Sequence, residues 1–184
     1  MNKKQALALI ANPLTTTTQL LELVNHEDEF VRRALASCKR FDIVERLACD
    51  DHWSVRGRVA ASPYASHDAI AILQCETLES ICVALASNPD LTTSATVHPA
   101  LIHDPRPRVR ASIASNPTTR AVFVAMLAED PEVEVRVALA SNPMTPAIVL
   151  TDLADDYEFD VRAAVRFNSA TPEDVSADLK VEFP

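Results

Sequence analysis

One short pattern recurs along the whole chain at nearly constant spacing. It is anchored by a leucine, with an arginine nine residues later and a proline sixteen residues later in most copies. The anchor leucines are Leu23, Leu47, Leu73, Leu101, Leu127, Leu153 and, in a truncated last copy, Leu179. Successive anchors lie 24, 26, 28, 26, 26 and 26 residues apart, and all of the variation falls between the proline position and the next leucine. A fixed period in this range predicts a stacked repeat array, in which each unit buries its apolar face on its neighbours.

Each repeat is predicted to contain two short helices. Phe123 and Val124 precede Leu127 by four and three positions, which places all three on one helical face. Thr145-Pro146 and Thr171-Pro172 predict the starts of first helices, with threonine as N-cap and proline at the first helical position. The second helix carries a Val-Arg-x-Ala-Leu-Ala-Ser segment, and the Asn-Pro pair that follows ends it. Helices this short are marginal alone, so we expect stacking to stabilise them.

The period divides the chain into a series of repeats within one predicted helical-repeat domain, residues 1–184. The predicted units are a half repeat at 5–13, repeats near 14–39, 40–63, 64–89, 90–117, 118–143 and 144–169, and a terminal half repeat at 170–184.

Composition narrows the functional classes. The formal net charge is −9, which opposes non-specific binding of duplex nucleic acid because such binding needs several phosphate-neutralising cations. No apolar run approaches the roughly 20 residues that span a bilayer, so we expect no membrane segment. The four cysteines show no CxxC spacing, which favours reduced thiols and a cytoplasmic location.

The repeat unit Leu-Ala-x-Asp-Pro-x-x-x-Val-Arg-x-Ala-x-Ala-Ser-Asn-Pro resembles the leucine-rich repeat variant family, which is similar in style to HEAT repeats. The clearest copies are Leu101–Pro117 and Leu127–Pro143. The resemblance implies an all-α fold, an α-solenoid in the form of a right-handed superhelix, with about six to seven short two-helix repeats of 24–28 residues. Some helices of the family are of the 3₁₀ type. One member has an N-terminal cysteine cluster for an iron–sulfur centre; this chain begins inside a repeat, so we expect no cofactor.

Acidic residues and arginines recur together in the repeat. Three residues after the anchors stand His26, Asp50, Glu76, Asp104, Asp130 and Asp156, and six residues further on comes the arginine position. An arginine in so apolar a helix needs a partner, and a carboxylate fits its planar fork. We therefore predict a structural ladder of acid–arginine pairs, within one repeat or between adjacent repeats; an anion site along the arginine column is the alternative. Its predicted members are Asp50, Arg56, Asp104, Arg110, Asp130, Arg136, Asp156 and Arg162. The third repeat breaks the column with Cys82.

Few residues stand out as candidates for binding or catalysis. The residues two past each leucine (Asn25, Cys49, Cys75, His103, Glu129 and Asp155) include metal-ligand types. Repeats about 8–10 Å apart cannot readily share ligands that must lie about 2 Å from one ion, so we expect no metal site. Nucleophile and phosphate-binding motifs are absent, so we expect no enzyme and no catalytic residue. The candidate partner-binding residues are Trp53, Arg56, Arg58, Arg106 and Arg108.

These patterns favour a non-catalytic scaffold that binds another protein or peptide. The alternative is a nucleic-acid-binding repeat protein that uses basic loops near Trp53–Arg58 and Arg106–Arg110. Such a function needs a basic stripe with aromatic residues, and the acidic charge of the chain opposes it. The sequence leaves open the identity of the partner, the face that binds it and the oligomeric state.

Overall fold

The computed structural model describes residues 1–89 and 101–182, with side chains as far as Lys180. Within these ranges the chain forms thirteen α-helices, one 3₁₀ helix and no strand. The helices are α1 (Lys3–Ala11), α2 (Thr17–Leu21), α3 (Glu29–Leu35), α4 (Phe41–Arg46), a 3₁₀ helix (Leu47–Cys49), α5 (Trp53–Ala60), α6 (His67–Leu73), α7 (Glu79–Ala86), α8 (Pro107–Ser115), α9 (Ala121–Ala128), α10 (Val133–Ser141), α11 (Ala147–Leu153), α12 (Phe159–Phe167) and α13 (Glu173–Glu182). The architecture is an all-α helical-repeat solenoid, as predicted.

The chain divides into two compact units, Met1–Asn88 and Pro89–Pro184, and the division falls at the end of the third repeat. In the N-terminal unit, the second helices α1, α3, α5 and α7 pack side by side in one layer, and the first helices α2, α4 and α6 form the other layer. In the C-terminal unit, α8, α10 and α12 pack in the same way, and α9 packs against α11. Whether residues 1–184 fold as a single domain stays a prediction.

Three stripes of apolar side chains hold the layers together. The anchor leucines at the ends of the first helices are buried, and Leu47, Leu73 and Leu127 are each only 1% exposed. The second helices contribute two stripes of fully buried side chains, at the eighth and twelfth positions after the anchor. They are Val31, Val55, Ile81, Val109, Val135 and Val161, and Leu35, Val59, Leu85, Ile113, Leu139 and Val165. Burial of these side chains supplies the stability that helices of five to ten residues lack alone.

The second helices end where the Asn-Pro pairs predict. Helices α8 and α10 stop at Ser115 and Ser141, and the next residues, Asn116 and Asn142, are extended, with φ and ψ near −75° and 119°. The proline that follows each asparagine excludes helical geometry at the asparagine. The sequence left open whether the second helices are α or 3₁₀; those described are α-helical, and the 3₁₀ helix instead continues a first helix.

The predicted N-caps of two first helices are wrong. Helix α11 begins at Ala147 with Pro146 as its N-cap residue, and Thr145 lies outside the cap. The Thr145 hydroxyl donates a 2.6 Å hydrogen bond to the carbonyl of Leu139, and that of Thr171 donates one of 2.5 Å to Val165. These hydroxyls add a second hydrogen bond to carbonyl groups at the ends of the preceding second helices, which also accept from the backbone N–H groups of Asn142 and Asn168 at 3.1 Å.

No helix in the described ranges is both long enough and apolar enough to cross a membrane.

Candidate functional site

Four arginines at the ladder position contact the carboxylate of the following repeat, and the predicted ladder member Arg162 donates to the carbonyl of Asp156 in its own repeat at 2.7 Å. The pairs are Arg32 with Asp50, Arg56 with Glu76, Arg110 with Asp130 and Arg136 with Asp156. In the last pair the Arg136 Nε and Nη2 atoms lie 2.7 and 3.2 Å from the two Asp156 carboxylate oxygens. The Arg136 Nη1 group donates to the carbonyl of Asp130 in its own repeat, at 2.7 Å. One guanidinium thus ties two neighbouring repeats together.

The carboxylates of the ladder also accept backbone hydrogen bonds at the N-termini of the second helices. One Asp156 oxygen accepts a 2.9 Å hydrogen bond from the backbone N–H of Glu158, just before α12. Burial disfavours the charged form of Asp156, but the hydrogen bonds from Arg136 and Glu158 outweigh burial and lower its pKa below the ordinary 3.8. His26 fills the acidic position in the first repeat, and its Nδ1 atom accepts from the N–H of Asp28 at 3.1 Å. The imidazole therefore replaces the backbone contact of the acid.

The irregular third repeat is accommodated by two local contacts. Cys82 stands at the arginine position, and its thiol donates to the carbonyl of Glu76 at 3.3 Å, where an arginine Nη1 group donates in the other repeats. In the next repeat, Asp104 is contacted by Arg106, with Nε and Nη2 at 2.8 and 2.6 Å from its oxygens. The side-chain hydrogen bond from Arg106, against the opposing effect of burial, lowers the pKa of Asp104. Cys82 replaces the arginine that would be expected to pair with Asp104. Arg106 binds this carboxylate instead.

A second ladder, which the sequence did not predict, runs through the asparagines fifteen residues after the anchor leucines, most of which precede a proline. The Asn142 amide nitrogen donates to the carbonyls of Ala114 and Asn116 in the preceding repeat, at 2.9 and 3.2 Å. Asn88 and Asn168 make the same pair of bonds to the repeats before them. The recurrence of asparagine fifteen residues after four successive anchors was the available signal. The proline that follows most of these asparagines explained the end of the helix, so the asparagine side chain was given no predicted role.

We expect Asn142→Ala to lower the free energy of unfolding by about 2 kcal/mol, because it removes both hydrogen bonds to the preceding repeat, including the one to the carbonyl of the buried Ala114. Urea unfolding followed by circular dichroism measures the change. The neighbouring Ser141→Ala is the matched control, since Ser141 is exposed and should leave the midpoint nearly unchanged. Identical midpoints for Asn142→Ala and the parent would mean that the asparagine ladder does not couple the repeats.

The exposed face of the second helices carries a groove in each unit. The N-terminal groove lies between α3, α5 and α7, has a volume of about 260 Å³, and is lined by Arg33, Trp53, Ser54, Gly57, Arg58, Ala61 and Ser80. The C-terminal groove lies between α10 and α12, has a volume of about 660 Å³, and includes Val133, Glu134, Val137, Asp160, Ala163, Ala164 and Phe167 in its lining. Both grooves use the same positions of the repeat, six to fourteen residues after the anchor leucine.

The N-terminal groove combines an aromatic side chain with cationic ones. Trp53 is 52% exposed and stacks on His52, with ring centroids 5.9 Å apart. Arg58 is exposed and its Nε donates to the hydroxyl of Ser37 at 2.7 Å, while Arg33 is exposed on the neighbouring helix. Gly57 supplies no side chain to the centre of the groove. This arrangement leaves an indole and two guanidinium groups accessible to a partner.

The structure separates the five predicted partner-binding residues. Trp53 and Arg58 share the N-terminal groove, whereas Arg56 is held in the ladder by Glu76 and Arg106 by Asp104. Arg108 is exposed on α8 in the C-terminal unit. The segments that were predicted to be basic loops are largely helical, since residues 53–58 lie in α5 and residues 107–110 in α8. Within each segment the arginines therefore point in different directions around a helix.

The column of potential metal ligands stays dispersed over successive repeats. Within the ranges that the structure describes, no three His, Cys, Asp or Glu side chains converge in a way that could hold a metal ion.

Comparison with solved structures identifies the fold. The chain is similar to a solved structure described as a leucine-rich repeat variant with a novel repetitive protein structural motif, with a TM-score of 0.61 and 20% sequence identity. The match covers 96% of this chain and 75% of that chain. No protein-family model matches the sequence, and no curated protein matches it. The predicted resemblance is confirmed at the level of the fold: the chain has the leucine-rich repeat variant fold.

Proposed function

We propose that this chain is a non-catalytic helical-repeat scaffold that binds another protein or peptide on the exposed face of its second helices. The observation that carries the proposal is the division of polar residues in the N-terminal unit. Arg32 and Arg56 hold the repeats together through the ladder, whereas Arg58 and Trp53 lie exposed in the N-terminal groove. Neither of these two side chains belongs to the buried core.

Trp53 and Arg58 have the chemistry of interface anchors. A tryptophan that is 52% exposed keeps much of its apolar surface in water, and burying that surface on a partner is favourable. An arginine beside it donates planar hydrogen bonds to carboxylates or carbonyl oxygens of the partner. Tryptophan and arginine are also enriched among the residues that dominate binding energy at protein interfaces.

Binding of nucleic acid is less well supported by the same geometry. Phosphate contacts need accessible cations, and three arginines of the two basic segments, Arg56, Arg106 and Arg110, are paired with carboxylates. The net charge of −9 adds long-range repulsion of a polyanion. The cytoplasmic location and the absence of a cofactor stay predictions. The oligomeric state stays an open question.

A pull-down with the tagged chain from native cell lysate, with and without nuclease, tests the proposed function. We expect a recurrent protein partner that resists nuclease and is lost with the double variant Trp53→Ala/Arg58→Ala. The matched control is Phe41→Ala/Arg46→Ala, which removes an exposed aromatic residue and an exposed arginine from the first helix α4. The control should retain the partner.

Two results would contradict the proposal. Loss of the partner with the α4 control but not with the groove variant would place binding on the first helices. Recovery of nucleic acid, or of partners that disappear after nuclease treatment, would support the alternative function. Circular dichroism spectra of both variants that match the parent exclude unfolding as the cause of any loss.

A further inference from the structure

We propose that the C-terminal groove binds a peptide segment that combines apolar side chains with lysine or arginine. This inference rests on the proposed function, because it names the kind of segment that a second groove on the same face accepts. It assigns to this groove an occupant opposite in charge to the one that suits the N-terminal groove.

The shape of the C-terminal groove follows from small side chains on α10 and α12. Val137, Ala163 and Ala164 line the groove, and these short side chains leave a space of about 660 Å³ between the two helices. This volume is within the range of about 300–1,000 Å³ that is typical of binding clefts. The groove is therefore large enough for several side chains of a partner segment.

The ends of this groove are apolar and exposed. Val133 lies at the start of α10 and is 37% exposed, and Phe167 lies at the end of α12 and is 76% exposed. Apolar surface of this kind gains free energy when a partner removes it from water. The groove thus offers apolar contacts along its length.

Two carboxylates line the groove beside this apolar surface. Glu134 and Asp160 are both exposed and lie in the first turns of α10 and α12. In the part of the chain that the structure describes, neither carboxylate is in an ion pair. Their negative charge is therefore available to a cation from outside the chain.

The repeat itself shows that these acids are not needed for the fold. The same repeat position in the N-terminal groove holds Ser54 and Ser80, and helices α5 and α7 form with serine there. The cations of that groove, Arg33 and Arg58, are likewise replaced by small apolar residues in the C-terminal groove. The two grooves share one architecture and differ in charge, so the charge indicates which segments they accept.

Fluorescence anisotropy on the full chain tests the inference with two labelled amphipathic peptides, one of Leu and Lys and one of Leu and Glu. We expect the Leu/Lys peptide to bind the parent. The Leu/Glu peptide should bind at least tenfold more weakly because of its charge, and a tenfold change in affinity corresponds to roughly 1.4 kcal/mol. Glu134→Gln/Asp160→Asn should weaken binding of the Leu/Lys peptide by roughly the same factor. Added salt should weaken binding to the parent more than to this variant.

A charge-matched control separates groove binding from general attraction to an acidic protein. Asp152→Asn/Asp155→Asn removes two exposed carboxylates at and just beyond the end of the first helix α11, and should leave binding unchanged. A second groove variant, Phe167→Ala, keeps both acids and should still weaken binding through lost apolar contact. Equal weakening in the groove variant and its control, or equal binding of the two peptides, would overturn the inference.

The outcome can be separated from that of the proposed function. Trp53→Ala/Arg58→Ala should bind the Leu/Lys peptide as the parent does, because these residues line the other groove. Suppose that the Leu/Lys peptide binds Glu134→Gln/Asp160→Asn and its control equally, and that the pull-down partner still depends on Trp53 and Arg58. In that case only this inference fails. If instead the partner is indifferent to Trp53 and Arg58, the proposed function fails on its own test.

Discussion

Leu127→Asp abolishes the cooperative thermal transition of the C-terminal unit. Leu127 is the anchor of its repeat, lies at the end of α9 and is 1% exposed. An aspartate there either buries a charge without a partner or forces the first and second helices apart, and either effect costs several kcal/mol. This loss is comparable with the total stability of a domain, about 5–15 kcal/mol. Thermal melting followed by circular dichroism at 222 nm measures the transition.

The neighbouring Met126→Asp is the matched control for this prediction. Met126 lies on the same helix and is 43% exposed, so an aspartate at this position remains in water. We expect the control to melt cooperatively, close to the parent. A Leu127→Asp protein that melts like the parent would mean that the anchor leucines do not form the core.

Arg136→Met lowers the free energy of unfolding by about 3–5 kcal/mol, since it leaves a largely buried carboxylate without its partner. The side chains of Arg136 and Asp156 are only 4% and 7% exposed. The substitution also removes the donor to the carbonyl of Asp130. The double variant Arg136→Met/Asp156→Asn should recover part of the loss, because it removes the uncompensated charge. Chemical denaturation of the parent, both single variants and the double variant gives the coupling energy between the two residues.

The pH dependence of stability gives an independent check on this pair. The pKa of Asp156 is lowered in the folded chain, so its ionised form stabilises the fold above the ordinary value of 3.8. This stabilisation is lost as the pH falls from that value through the lowered pKa. The stability difference between the parent and Arg136→Met should therefore shrink in acid. Arg46→Met, at an exposed position at the end of α4, should show little effect at any pH; a loss equal to that of Arg136→Met would contradict the ladder.

The fold was largely predictable because its physical causes repeat at fixed spacing. Each of the six copies has an anchor leucine and a valine or isoleucine eight residues later, and three of the copies end in Asn-Pro, so several copies support every inference. The exceptions were Thr145 and Thr171, since threonine followed by proline is a common helix start. Each hydroxyl instead donates to a carbonyl of the preceding helix, and this contact depends on the three-dimensional path of the turn.

The direction of the acid–arginine pairs could not be read from spacing. Arg136 is six residues from Asp130 and twenty from Asp156, and both are compatible with a helical repeat. The structure places the Asp130 carbonyl and the Asp156 carboxylate on opposite sides of the same guanidinium. The partner of Arg106 could not be predicted either. Arg106 pairs with Asp104, and the preceding repeat has Cys82 in place of the arginine that would otherwise bind this carboxylate.

The grooves depend on information that the repeat period does not contain. A period predicts which positions recur, but the exposed fraction of Trp53 or Phe167 depends on how closely neighbouring second helices pack. Sequence analysis selected Trp53 and Arg58 because of their residue types, and the structure places both in one groove. It did not single out Glu134, Asp160 or Phe167, because acidic and apolar residues are common throughout this chain.

Site-specific photo-crosslinking tests the central claim, that the exposed face of the second helices binds a protein partner. A photoreactive phenylalanine analogue is placed at Trp53 on α5 or, as control, at Phe41 on α4, and the cells are irradiated before lysis. Both positions are more than half exposed, so the side chain should fit at either. A discrete protein adduct from position 53 and none from position 41 is the predicted result. Adducts from position 41 alone, or adducts to nucleic acid from position 53, would contradict the claim.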